Sequence, residues 1–252
     1  MNIQICSDLH LEFNENRKWI KENPLTPSGD ILIIAGDTYY LEDQIRQLDF
    51  IKQVSDEFQA TYLIPGNHEY YNGYDVATAM EPTFEKLRDN VILVNNKAID
   101  INGYRFIFTT LWSAIQRNIL AVMRGMTDFR SIKFRGEPFN VNHYNQVHQS
   151  CLAFLEKEIA KEGKKVVVTH HLPSEECNVA EFKGSLLNDA FCVDKTTLIA
   201  QSAISAWIYG HSHRNKEDFD IGGTQMITNQ LGYVGYHEHL DFDRNKQLAL
   251  GD

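Results

Sequence analysis

Basic residues are scarce in this chain. Its 252 residues carry 24 Lys and Arg against 34 Asp and Glu, a formal charge of −10 with histidine neutral. A protein that coats nucleic-acid backbone is expected to be basic, so extended nucleic-acid binding is disfavoured. Cysteine is scarce too. Cys6, Cys151, Cys177 and Cys192 lie far apart with no C-x-x-C pair, which argues against a zinc ribbon or a disulfide framework and fits a reducing compartment. Long apolar runs are missing. Runs such as Ile31–Ala35 are far too short to span a bilayer. The opening Met1-Asn2-Ile3-Gln4-Ile5 lacks the basic and apolar regions of a signal peptide. The expectation is a cytoplasmic protein with no membrane partner. No repeat, linker or low-complexity tract divides the chain, so residues 1–252 read as one domain. Against these shortages stand ten histidines, many for an acidic chain and suggestive of metal.

Five short apolar runs have the composition of buried strands. Ile3–Cys6 runs into Ser7-Asp8-Leu9-His10, Asp30–Ala35 into Gly36-Asp37, and Thr61–Ile64 into Pro65-Gly66-Asn67-His68-Glu69. Lys165–Val168 runs into Thr169-His170-His171, and Ala206–Tyr209 into Gly210-His211-Ser212-His213. Apolar residues at helical spacing predict helices over Asp43–Phe58 and from about Asn142 to Glu162. Alternating strand and helix implies mostly parallel pairing. Two hairpins, at Asn102-Gly103 and Gly222-Gly223, make the sheets mixed. In such sheets ligands bind beyond the carboxyl ends of the strands. Asp8 and His10, and His211 and His213, are spaced at i and i+2 and so share one side of an extended segment.

The ordered series D-x-H, G-D, G-N-H-E, H and G-H-x-H resembles the calcineurin-like metallophosphoesterase superfamily, with motifs spanning residues 8 to 213. That resemblance implies an α/β fold of two mixed β-sheets packed face to face with helices on the outer faces, a four-layer αββα arrangement. It implies two divalent metal ions bridged by Asp37. Asp8, His10 and His213 would complete one site, and Asn67, His170 and His211 the other. His68 would be catalytic, assisting the leaving group while a metal-bridging hydroxide attacks phosphorus. Alternation lets only one of His170 and His171 face the metals, and the family pattern favours His170. Oxygen and imidazole donors without thiolate suit Mn, Fe, Zn or Co, with Mn the expected choice in vitro. Glu69 is expected behind this set, orienting His68 or a ligand imidazole.

Outside the motifs, the segment at about 112–138 reads as a cap or insert beside the metals. Between Arg117 and Arg135 it holds Arg117, Arg124, Arg130, Lys133 and Arg135 against one acid, Asp128. Arg124 and Arg130 are expected to bind substrate phosphate, with Asp128 orienting Arg130. His143 and His148 are expected at the surface or as caps, and the H-x-H of His237 and His239 on a half-exposed strand. The function expected is hydrolysis of a small phosphate monoester or diester. The alternatives are a nuclease, a nucleotide pyrophosphohydrolase, or a non-catalytic protein-binding scaffold of the same fold.

Overall fold

The computed structural model describes residues 2–250. In chain order its elements are β1 (Asn2–Cys6), α1 (Asn14–Glu22), β2 (Ile31–Ala35), α2 (Asp49–Glu57), β3 (Ala60–Ile64), β4 (Thr83–Arg88), β5 (Val91–Asn95), β6 (Lys97–Ile101) and β7 (Tyr104–Phe108). There follow α3 (Ile119–Gly125), α4 (Asp128–Ser131), β8 (Lys133–Phe134), β9 (Glu137–Pro138), α5 (Val141–Ile159), β10 (Lys164–Val168), α6 (Thr196–Ala200), β11 (Ala206–Tyr209), β12 (Phe219–Ile221), β13 (Thr224–Thr228) and β14 (Gln247–Ala249).

Two six-stranded sheets share one plan. In the first, ordered β14-β1-β2-β3-β5-β4, four parallel strands are flanked by an antiparallel strand at each edge. The second, ordered β12-β13-β11-β10-β7-β6, repeats this arrangement. Side chains alternate across a strand, and that alternation builds four layers. Ile3, Ile5, Ile31, Ile33 and Ala35 of the first sheet meet Phe106, Phe108, Val166, Val168 and Ile208 of the second in a shared core. Their neighbours face outward: Cys6, Leu32 and Ile34 pack beneath α1 and α2, and Ile107, Val167 and Trp207 beneath α5 and α6. This buries both faces of each sheet and explains why β2 is apolar throughout.

The Asn102-Gly103 turn has positive φ at both residues, the geometry that feeds a twisted hairpin. Three sequence expectations are corrected. The helix expected over Asp43–Phe58 breaks at Leu48. A 3₁₀ turn over Asp43–Gln47 precedes α2, and extended Leu48 lets both Ile45 and Phe50 reach the same core. His239 lies on a 3₁₀ turn and His237 between two such turns rather than on a strand, because His237 adopts a left-handed backbone that ends any extended run. His148 is buried on α5, its Nδ1 2.6 Å from the Trp112 carbonyl. Among the described residues no helix is long and apolar enough to cross a membrane.

Candidate metal centre

The carboxyl ends of β1, β2 and β3 in one sheet and of β10 and β11 in the other meet at one edge of the sandwich. Donor atoms of Asp8, His10, Asp37 and His213 lie within 4.8 Å of one another, and so do those of Asp37, His170 and His211. Asp37 belongs to both groups. Asn67 joins the second, its Oδ1 3.3 Å from His170 Nε2. Asp8, His10, Asp37, Asn67, His170 and His211 are all buried, and His213 is nearly so. The structure therefore brings together all seven residues expected around the metals.

Close backbone packing makes this convergence possible. Asp8, His10, Asp37, His211 and His213 all have φ between 47° and 78°. That left-handed region costs an ordinary L-residue about 1–2 kcal/mol, and such outliers cluster at functional sites. A Cβ on Gly66 would lie 2.1 Å from Asp37 Oδ1, and one on Gly36 2.4 Å from His170 Nδ1, so only glycine fits at either place.

Each imidazole has one nitrogen tied outward. His10 Nδ1 meets Glu12 Oε1 at 3.0 Å, and His213 Nδ1 meets Glu238 Oε2 at 2.8 Å. His170 Nδ1 donates to the Ala35 carbonyl at 2.8 Å, and His211 Nε2 faces the Ala190 carbonyl at 3.3 Å. Such partners fix the tautomer and aim the other nitrogen's lone pair inward. The inward Nε2 atoms of His10 and His213 are then 2.8 Å apart. With both Nδ1 protons committed to carboxylates, two lone pairs face each other there. Only a proton or a cation can satisfy that pair, and oxygen and imidazole donors suit a divalent transition metal. The residues present therefore fit the two ions.

His68 lies beside this centre. Its Nδ1 is 2.8 Å from Glu12 Oε1, and its Nε2 is 3.2 Å from the Tyr233 hydroxyl. Its ring stacks on Tyr71 with centroids 4.1 Å apart. Burial alone would lower the His68 pKa, but the charges of Asp37 and Glu12 raise it to about 9. Burial also holds His10 and His211 below the ordinary histidine value, in the neutral form that binds metal. The same Asp37 charge overrides burial at His170, which rises to about 9.

Three supporting roles differ from expectation. Glu69 orients no imidazole. Its carboxylate accepts the backbone N–H groups of Asp37, Thr38 and Gly66 at 2.7–3.0 Å, tying the loops after β2 and β3 together. Asp128 does not orient Arg130. It is buried, and its Oδ1 accepts from Asn67 Nδ2 and from the Tyr71 hydroxyl, each at 2.8 Å. Arg130 is exposed and bonds the Arg124 carbonyl at 2.9 Å. His171 packs behind the site, stacked on Trp112 and near Tyr144. Glu12, Glu238 and Tyr233 were not foreseen. Glu12 continues the alternation of Asp8 and His10 by one more step, a signal present in the sequence. Glu238 sits inside the H-x-H for which the sequence predicts a half-exposed strand.

A cavity of about 650 Å³ opens over Asp37, Asn67, His68, His211 and His213. The 112–138 segment forms part of its wall through Met126, Thr127 and Ser131, but neither Arg124 nor Arg130 lines it.

Comparison with known proteins agrees with this geometry. A model of the calcineurin-like phosphoesterase family matches residues 1–215. An uncharacterised protein of Acanthamoeba polyphaga mimivirus is 27% identical over 271 residues, spanning 96% of this chain and 94% of its own. Among solved structures, the phosphopantetheinyl hydrolase of Mycobacterium tuberculosis shares the fold. Its TM-score is 0.71 at 16% identity, covering 98% of this chain and 95% of that one.

Proposed function

Since the chain belongs to the calcineurin-like phosphoesterase family, we propose that it hydrolyses small phosphate esters with the help of two divalent cations held on either side of Asp37. The observation that carries this reading is the pair of donor clusters sharing Asp37 at the mouth of a cavity, with His68 beside them. Asp8, His10, Asp37 and His213 would hold one ion, and Asp37, Asn67, His170 and His211 the other. When bound, such a pair supplies positive charge for the phosphate oxygens and acidifies water to a nucleophile at neutral pH.

The chain's own residues supply the rest. Glu12 fixes the proton of His68 on Nδ1, so Nε2 is the atom that exchanges a proton with the cavity. A leaving oxygen there takes its proton from His68 Nε2, with the Tyr233 hydroxyl within hydrogen-bond reach of the same atom. General acid help of this kind contributes about 10²–10⁴-fold. Asp128 holds the Asn67 amide with its oxygen toward His170. Tyr71 stacks on His68 and limits its rotation.

The test is a metal determination on the purified protein, followed by assay of mono- and diester substrates with Mn²⁺. Asp37→Asn is expected to abolish turnover, and His68→Ala to lower kcat by about 10²–10⁴-fold. Near-normal activity in Asp37→Asn would refute the assignment.

A further inference from the structure

Large apolar side chains left in solvent are unevenly placed on this molecule. Eight are exposed among the described residues, and seven of them lie on segments that also wall the cavity over the metal centre. Ile119, Leu120 and Met123 are on α3, whose last residue, Gly125, lines the cavity. Leu186 stands between Ser185 and Leu187, which both line it. These two segments touch, because Leu187 fills the space beside Gly125, where a Cβ would lie 2.8 Å from Leu187 Cδ2. Across the opening, Phe13 and Tyr236 have ring centroids 5.4 and 6.0 Å from that of Tyr233, and Leu240 lies two residues past Glu238. The eighth, Phe84, is on β4 at an edge of the first sheet. Single exposed apolar residues are ordinary, but a set gathered around one opening marks an interaction surface.

Charge identifies what covers this face. Arg124, Arg130 and Lys183 are exposed beside the same aliphatic side chains, and among the described residues none of the three is in an ion pair. Arg130 bonds only neutral oxygens, the Arg124 carbonyl and the Thr127 hydroxyl, which leaves its charge uncompensated. Met123 and Arg130 border one shallow depression with Phe129 and Pro138, so apolar and cationic groups are interleaved. Against these cations the same stretches expose Glu137 and Glu181, the second already paired with Arg214. A local positive, apolar face on a chain of charge −10 complements a surface that is anionic outside and apolar beneath. We propose that the mouth of the cavity docks on an anionic lipid surface. Ile119, Leu120, Met123 and Leu186 enter the boundary between headgroups and acyl chains, and Arg124, Arg130 and Lys183 meet headgroup phosphates. The sequence expectation of no membrane partner rested on the lack of a spanning run, and a protein that lies on a bilayer needs none.

The full chain is titrated by co-sedimentation with vesicles of phosphatidylcholine alone and of phosphatidylcholine mixed equally with phosphatidylserine. The expected result is binding at least about ten-fold tighter to the mixed vesicles, weakening as salt is added. A cation near such a surface is worth about five-fold in affinity, so Arg124→Gln with Arg130→Gln should cost about 25-fold. Leu120→Ser with Met123→Ser should cost at least about ten-fold on the mixed vesicles. Phe84→Ser, which removes the exposed ring away from the opening, should leave binding unchanged. All the substituted side chains are exposed, and thermal unfolding checks that each variant keeps its fold. No binding to the mixed vesicles at low salt overturns the inference. So does a loss with Phe84→Ser as large as with the α3 pair, or binding that the α3 serines leave intact, which would be adsorption by charge alone. Binding to polyglutamate but to neither vesicle would assign the face to an acidic protein and overturn it too. Every readout is binding without turnover, so the result is independent of the chemistry proposed above.

Discussion

Replacing Asp128 with alanine should cripple a metal centre to which Asp128 contributes no ligand of its own. Asp128 and Arg130 are near neighbours in sequence, yet they serve different ends. Asp128 accepts Asn67 Nδ2 at 2.8 Å, which turns Asn67 Oδ1 toward His170. Without that acceptor the amide is free to rotate, and its NH₂ face would repel a cation. A hydrogen bond to a charged group contributes about 1.5–3 kcal/mol, and loss of a residue that supports a ligand typically costs about 10–100-fold in metal affinity or activity. Asp128→Ala is therefore expected to lower affinity for the second Mn²⁺, and kcat/KM with it, by about 10–100-fold. Asp128→Asn keeps an acceptor and should lose less. Arg130→Ala, which removes only bonds to Arg124 and Thr127 at the surface, should stay within about two-fold, as surface changes usually do. Calorimetric titration with Mn²⁺ and steady-state kinetics measure these effects, and thermal unfolding separates them from loss of fold. If Asp128→Ala bound both ions and turned over substrate like the unmodified protein, or if Arg130→Ala were the more damaging change, the assignment of Asn67 and its support would be wrong.

Other expectations follow from the same geometry. Gly66→Ala would drive a methyl into the Asp37 carboxylate, so metal content after purification should fall below one ion per chain; two ions retained would show that the loop can yield. Stripping metal with a chelator should lower the thermal midpoint, and excess Mn²⁺ should restore it in proportion to ln[Mn²⁺], since a ligand that binds only the folded state stabilises it by mass action. A midpoint indifferent to both would contradict a folded-state metal site. Glu12 and Glu238 are each depressed to about 2 by their histidine partners, which outweigh the effect of burial. A depressed carboxylate contributes stability that is present above its unfolded value of 4.5 and lost as pH falls toward 2. Metal-free Glu12→Gln should therefore be less stable near pH 6 and lose less between pH 4.5 and 2. Parallel acid-unfolding curves for the two proteins would disprove this.

The strand-end donors were legible because the information is local. A buried strand and a donor, in three cases with a glycine between them, occur within a few residues. The expected extended spacing of Asp8 with His10 and of His211 with His213 is, however, replaced by left-handed backbone, which sets the side each donor takes. The layered sheets were legible for the same reason. The supports were not. Glu12 meets His68 across 56 residues, Asp128 meets Asn67 across 61, and Tyr233 meets His68 across 165. Only the fold brings those pairs together; the i, i+2 spacing that runs from Asp8 and His10 to Glu12 marks Glu12 itself but not its meeting with His68. The basic cluster around Arg124 and Arg130 illustrates the reverse error. A run of like charges is visible in sequence, but whether it faces a cavity depends on where α3 and α4 pack. The break at Leu48 was hidden because Ile45 and Phe50 keep an apolar spacing that a continuous helix would also show.

The left-handed backbone at Asp8, His10, Asp37, His211 and His213 sets activity against robustness. Function requires side chains that bind metal, while the local conformation is easiest for glycine or asparagine. A lineage released from selection for catalysis would gain stability by exchanging these histidines for glycine, because strained active-site residues are held in place by function and not by folding. Glycine at positions 10, 211 or 213 of a descendant would then be the mark of a lost activity, readable before any assay. The chain described here, with histidine at all three, still bears that burden.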